Sequence, residues 1–241
     1  MLNESARLSA VLRPVRAGNA FEETVERLLQ AIKLGVVPPG EKLPAERELS
    51  ALLGISRVTL REAIKSLCEE GYLDVRRGRY GGAFVTYRAP APDPAGLRRA
   101  LADMGQGLTD ALDYRMAVEC GAAQVLAASR LDDERRATLC RRLSEVNAAG
   151  PEDYRRLDTA FHLSIAELTG SALLASACAD ARLRVADLLN AIPVLRPNID
   201  HAATQHRGIV AAILEGDPVA AYRAVSEHLE GTAALLRGFL A

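Results

Sequence analysis

The chain has 241 residues, 49% of them apolar and 25% charged, with a formal net charge of −1. Those figures suit one or two globular domains that bury a real core, and they exclude a protein that meets nucleic acid through overall basicity. No run of about 18 apolar residues is present and no apolar leader with a small-residue cleavage site opens the sequence, so neither a membrane span nor a signal peptide is expected.

Charge is unevenly divided. Residues 1–88 carry 14 Lys/Arg against 11 Asp/Glu, and residues 89–241 carry 16 against 20. A difference this small can be scatter, so position matters more than sum. Cys68, Cys120, Cys140 and Cys178 show no CxxC spacing, and each falls in an apolar helical pattern. Small buried thiols in a reduced, cytoplasmic chain are the expectation.

Residues 1–20 read as a solvated arm. From Phe21 to Leu34, Phe21, Val25, Leu28 and Ile32 repeat at helical spacing behind Glu22, Glu23 and Glu26, and Gly35 stops the pattern. Val37-Pro38-Pro39-Gly40 is a rigid turn. Pro44 opens a second helix, with Leu49, Leu52 and Leu53 inward, and Gly54 turns the chain. Ser56 is a suitable N-cap for a third helix, whose inner side carries Leu60, Ile64 and Leu67. Tyr72–Val75 and Ala83–Thr86 are strand-like and flank the glycine-rich turn RRGRYGG. Such a ribbon is unstable alone and must pack on the helices. Three prolines in RAPAPDPAG mark a linker at 89–96, between a DNA-reading domain at 15–88 and a helical domain at 97–241. Beyond it no convincing strand occurs. Helices are expected near 97–104, 108–129, 132–148, 152–169, 171–191, 199–215 and 217–239, with Asp132, Ser171 and Asp217 as caps. The fold class is mainly α: a winged helix-turn-helix followed by a bundle of six or seven helices.

The third helix carries Arg57, Thr59, Arg61 and Lys65 on its outer side. A helix fits the major groove, where Arg can fork onto guanine and Thr can reach a phosphate or a thymine methyl. In the wing, Arg76, Arg77 and Arg79 supply charge and the glycines allow close approach. An arginine-rich face alone is ordinarily just solvated. Two helices, a turn, a donor-faced third helix and a basic hairpin in this order match a docking geometry.

LPAERELSALLGISRVTLREAIKSLCEEGYL, followed by the glycine-rich basic wing, resembles the DNA-binding domain of the GntR family of bacterial transcription regulators over about residues 21–86. The resemblance implies operator contacts by Arg47, Arg57, Thr59, Arg61 and Gly78. Ser56 and Arg77 stand at contact positions where the family varies.

All four histidines, His162, His201, His206 and His228, lie in the second half. Asp158 and His162 share one helix face at i, i+4. His206 shares the side of Ile209, Val210 and Ile213, and His228 that of Val225 and Leu235. One carboxylate and three imidazoles would then meet inside the bundle. The pattern alone leaves open a hydrogen-bonded core cluster or a metal site with a position left for ligand. His201 reads as exposed or at the site's edge, in a loop-like segment.

DTAFHLSIAELTG and HRGIVAAILEGDPVAAYRAVSEHL resemble the all-helical effector domain of the FadR-like subfamily, termed FCD. The resemblance implies a divalent cation, zinc-like with nickel or manganese also open, on Asp158, His162, His206 and His228. DALDYRMAVECGAA resembles a segment that would place Arg115 in the pocket and Glu119 in helix packing. A cation beside Arg115 would hold a small carboxylate, with the guanidinium forking onto a free oxygen. An interhelical salt bridge is the other reading of Arg115. Asn190 or Arg184 could line the same cavity, though spacing does not force it.

The expectation is a homodimeric, ligand-responsive repressor. It would bind double-stranded DNA at a palindromic operator and respond to a small carboxylate. A divalent-metal sensor is the alternative. A metal-dependent hydrolase is less suited, since no HExxH or equivalent base is found, and Lys65 is the last lysine, so the helical half cannot form a Schiff base. The chain is therefore not expected to be an enzyme.

Overall fold

The computed structural model describes residues 12, 20–78, 80–88, 93, 95–96 and 107–238. The expected N-terminal arm, the short helix at 97–104, Arg79 and most of the proline linker lie outside them. The chain divides into two compact units, Met1–Ala89 and Pro90–Ala241.

In the first unit, α1 (Ala20–Lys33), α2 (Glu46–Leu53) and α3 (Arg57–Glu69) precede a two-stranded antiparallel sheet, β1 (Leu73–Arg76) and β2 (Gly82–Val85). Leu28, Ile32, Leu49, Leu53, Leu60 and Leu67 form its core. Pro44 does not open α2. The chain at Lys42 and Leu43 is still paired with the wing: Lys42 bridges Phe84, and the Leu43 N–H donates to the Ala83 carbonyl at 2.8 Å. The helix starts only when that pairing ends, with Ala45 as an N-cap that offers no side-chain bond. Ser56 does cap α3, accepting from the Thr59 N–H at 3.1 Å. The wing is tied to the helices where Thr86 Oγ1 donates to the Gly71 carbonyl at 2.8 Å and Tyr72 stacks on Tyr87.

The second unit contains α4 (Gly107–Ala128), α5 (Asp133–Asn147), α6 (Pro151–Leu168), α7 (Ala172–Ala191), α8 (Arg196–Glu215) and α9 (Pro218–Gly238). The apolar residues of α4 run around the whole helix, as suits a central one, and it packs against α6, α7, α8 and α9. Asp132, Ser171 and Asp217 cap their helices by accepting backbone N–H groups. The helix expected from 199 begins three residues earlier. Pro197 sits in its first turn, where a missing N–H costs nothing, so this proline starts α8 instead of excluding it. His201 is accordingly helical and exposed, not in a loop. Cys120 and Cys178 are buried, but Cys140 is exposed: α5 turns Thr138 and Leu139 inward and leaves the next residue outside. No helix among the described residues is long and apolar enough to cross a membrane.

Candidate functional site

Each unit carries a candidate site. In the first, Arg47, Ser56, Arg57, Arg61, Arg77 and Gly78 are exposed and Thr59 is half-buried. Ser56 Oγ lies 2.9 Å from Thr59 Oγ1, so both hydroxyls are engaged in starting α3. Arg61 Nε donates to Glu46 Oε2 at 2.8 Å, which links α2 to the face expected to read DNA. An exposed pair of this kind is worth about 0–1 kcal/mol and yields readily to a phosphate or a guanine. Arg76 is committed elsewhere: it pairs with Asp74 at 2.9 Å, and its guanidinium lies 4.2 Å from the Phe84 ring centroid. Gly78 has φ +102°, a backbone that favours glycine, and Gly81 is placed where a Cβ would fall 2.2 Å from the Arg76 carbonyl oxygen. The wing tip thus depends on two glycines for its shape.

In the helical unit the structure brings Asp158, His162, His206 and His228 together. One potential ligand atom from each lies within 4.8 Å of all the others. Asp158 and His162 come from α6, His206 from α8 and His228 from α9. Phe161 packs between them, with its ring centroid 5.2 Å from that of His162 and 4.7 Å from that of His206. The three imidazoles are buried.

The far sides of two imidazoles are fixed by acceptors. His162 Nδ1 lies 2.9 Å from Glu119 Oε2, and His228 Nδ1 lies 3.0 Å from Gln205 Oε1. Each contact places the ring proton on Nδ1 and leaves a lone pair on Nε2. These two Nε2 atoms face each other at 3.1 Å. His206 Nε2 is 3.3 Å and His162 Nε2 is 3.8 Å from Asp158 Oδ1. Neither ring nitrogen of His206 has a hydrogen-bond partner. Converging lone pairs and one carboxylate oxygen repel one another unless a cation or proton lies among them.

A tetrahedral ion with bonds near 2.0–2.1 Å has ligand–ligand edges of roughly 3.3 Å; the contacts at 3.1 and 3.3 Å match that edge, and the wider spacings, within 4.8 Å, would close around an ion. Burial, and then the charge of Arg182, lower the His162 pKa, while burial and His162 hold that of His228 well below its ordinary value. Both therefore stay neutral near pH 7, as metal ligation requires. Burial opposes the charge on Asp158, but His162, His206 and Arg182 outweigh it and hold this carboxyl well below the usual range.

Around the cluster lies a buried charge network that spacing along the chain does not reveal. Glu119, expected in helix packing, accepts from Arg115 Nε at 2.7 Å and from Arg182 Nη1 at 3.0 Å, besides facing His162. Burial opposes its charge, yet Arg115, Arg182 and His162 hold its carboxyl well below the ordinary range. Arg182 from α7 also donates to Asp158 Oδ2 at 2.6 Å, which leaves Oδ1 to face the imidazoles. A signal for Arg182 existed: it stands in the stripe Cys178, Arg182, Val185, Leu189, where an arginine interrupts buried positions at helical spacing. Gln205 carried no such signal.

Arg115 is 2% exposed and lines a cavity of about 210 Å³ beside the cluster, together with Arg155, Asp158, Gln205 and His228. Arg115 is thus a cavity wall, and its ion pair is not the interhelical bridge considered above but a buried one within α4, to Glu119 one turn on. Exposed His201 also lines this cavity, whereas Arg184 and Asn190 are not among its described lining residues.

The N-terminal fold with its donor-faced helix, and the helical unit that follows it in sequence, point to a DNA-binding transcription regulator. Residues 21–85 match the model for bacterial regulatory proteins of the gntR family, and residues 110–231 match that of the FCD domain. RmpR of Mycobacterium gastri, named as an HTH-type transcriptional regulator, is 32% identical over 92% of this chain and 81% of its own. An Escherichia coli protein whose name assigns it to regulation of an L-lactate dehydrogenase operon is 30% identical over 86% of this chain and 83% of its own. The solved structure of E. coli McbR/YncC shares the fold, with TM-score 0.54 and 18% identity, covering 91% of this chain and 97% of that one. The chain belongs to the GntR family of bacterial transcription regulators, with an FCD domain as its second half. These relatives are regulators, which sets aside the hydrolase reading.

Proposed function

We propose that this regulator is a homodimeric, ligand-responsive repressor whose helical unit holds a divalent cation and a small carboxylate. Asp158, His162, His206 and His228 would hold the ion. It would supply a Lewis-acid position for one oxygen of the acid, while Arg115 binds another through its free Nη1. The observation that carries this reading is the pair of Nε2 atoms facing each other at 3.1 Å, each with its other ring nitrogen already matched to an acceptor. Carboxylate–histidine contacts of the Glu119–His162 kind are what orient metal-bound imidazoles elsewhere.

DNA recognition falls to Arg57, Thr59 and Arg61 on α3, supported by Arg47 and Ser56, with Arg77 and Gly78 of the wing on the backbone. Two such units would read a palindromic operator. A ligand that prefers one packing of the helical bundle would shift the spacing of the two heads and so spoil simultaneous contact with both half-sites. The relative named for an L-lactate dehydrogenase operon makes α-hydroxy acids the first group to screen.

The test is operator binding with metal-loaded and chelator-stripped protein, each across a panel of hydroxy acids, sugar acids and dicarboxylates. The proposal expects at least one carboxylate to change operator affinity only when metal is present. If metal removal alone abolishes DNA binding and no acid shifts the loaded protein, the cation itself is the signal and the carboxylate reading is wrong.

A further inference from the structure

The helical unit's role as a receptor for an acid is the premise of this inference, which adds what kind of acid. The cavity beside the Asp–His cluster has a volume of about 210 Å³, below the roughly 300–1,000 Å³ of pockets for drug-sized ligands. Its wall carries two guanidiniums from different helices, Arg115 of α4 and Arg155 of α6. Both have a buried N–H without a hydrogen-bond partner: Nη1 of Arg115 and Nε of Arg155. They differ in what else they do. Arg115 is anchored by Glu119 at 2.7 Å, whereas Arg155 forms no ion pair among the described residues. An unpaired guanidinium in a half-buried place is costly and calls for an anion.

The charge balance points the same way. Asp158 is the one carboxylate among the described residues lining the cavity. Its Oδ2 is already taken by Arg182, and both oxygens of Glu119 are engaged by Arg115, Arg182 and His162. Three guanidiniums thus share two carboxylates before any cation is added. A divalent ion on neutral imidazoles brings the local excess to three positive charges, and a monoanionic acid removes only one. Burial, with Arg115 and Arg182 adding to it, lowers the Arg155 pKa from its ordinary value despite Asp158, as expected for a cation in like-charged company.

We propose that the effector is a small dicarboxylate, with one acid group held beside the Asp–His cluster by Arg115 and the other taken by Arg155. Leu189, Val194 and Leu235 of the same cavity give a short hydrocarbon spacer between the two acid groups an apolar wall to lie against. Arg155 is then the specificity-determining residue. It discriminates by charge and fork geometry, while Arg115 binds the group common to all acids.

The matched probes are L-malate and (S)-2-hydroxybutyrate, which share the α-hydroxy carboxylate and differ only in a second carboxylate against a methyl. Titration calorimetry on the full-length, metal-loaded protein should show L-malate binding at least tenfold tighter. In Arg155→Gln, L-malate should weaken by tenfold or more and 2-hydroxybutyrate by less than about threefold, so that the preference disappears. Equal binding of the two acids by the unaltered protein overturns the proposal, as does a preference that survives Arg155→Gln. If that variant does not fold, the comparison in the unaltered protein still decides. Binding of 2-hydroxybutyrate without any gain from the second carboxylate defeats only this inference. Failure of both acids to bind defeats the carboxylate reading on which it rests.

Discussion

In the N-terminal unit the arginines proposed to meet DNA stand in water: Arg47, Arg57, Arg61 and Arg77 are exposed, and Arg61 is held only by a surface pair with Glu46. In the helical unit, Arg115 and Arg182 are 2% and 4% exposed, and their guanidiniums lock Glu119 and Asp158 in place. The same side chain serves opposite ends. An exposed guanidinium on a rigid helix is free to exchange water for a phosphate or a base edge, at little cost to the fold. A buried one is part of the fold, and its loss strands the charges it was matched to. Substitution of the exposed arginines of the first unit should change affinity without changing stability, and substitution of the buried ones of the second should change both.

The largest effect should come from breaking the buried network. Arg182→Met removes the cation shared by two buried carboxylates, and leaving such a charge unpaired costs about 3–5 kcal/mol. The melting temperature of stripped protein should fall steeply, and if it is unchanged the network is not structural. Next come the exposed arginines. Arg57→Ala and Arg61→Ala should each weaken operator binding by about 1–3 kcal/mol, roughly tenfold to hundredfold, while leaving the melting temperature within error. If both leave operator affinity intact, α3 is not the reading helix.

A cap lies between these classes. Ser56→Ala removes the acceptor for the Thr59 N–H and should cost about 1 kcal/mol in stability of the first unit, with a loss in DNA affinity as the start of α3 frays. Arg77→Ala should have the smallest effect on affinity, and its mark is the salt dependence: the slope of log affinity against log salt should fall by about one if it meets a phosphate.

The contrast also has a pH signature. His162 and His228 have lowered folded-state pKa values, so the unfolded chain binds more protons than the folded one below about pH 6.5. Stability of the stripped helical unit should therefore decline as pH falls from about 6.5 toward those folded values. Glu119 and Asp158 are depressed as well, so their contribution is present above the ordinary carboxylate range and lost only in stronger acid. A melting temperature of stripped protein that stays flat between pH 7.5 and 5 would contradict buried neutral imidazoles.

Much of this contrast was legible in the sequence, for reasons that differ by region. Helix periodicity and caps such as Asp132, Ser171 and Asp217 located the helices to within a few residues, because capping is local chemistry. It failed where tertiary pairing or position within a turn decided. Pairing of Lys42 and Leu43 with the wing delays α2 past Pro44, and Pro197, standing in a first turn, lets α8 start three residues before the expected 199. The four residues of the Asp–His cluster could be guessed because each lay on the apolar side of its helix. Their supports could not. Glu119, Arg182 and Gln205 act through partners up to 63 residues away, in a cluster whose register only packing fixes. Arg155 offered a weak signal, three residues before Asp158 on the same helix.

On our proposal Asp158, His162, His206 and His228 form a cation site. Titration calorimetry of zinc into full-length stripped protein, with His206→Ala beside it, tests this most directly. The account predicts saturation at one ion per protomer and loss of that binding in the variant, whose helical content is unchanged. Absence of saturable binding, or an equal affinity in His206→Ala, would contradict it.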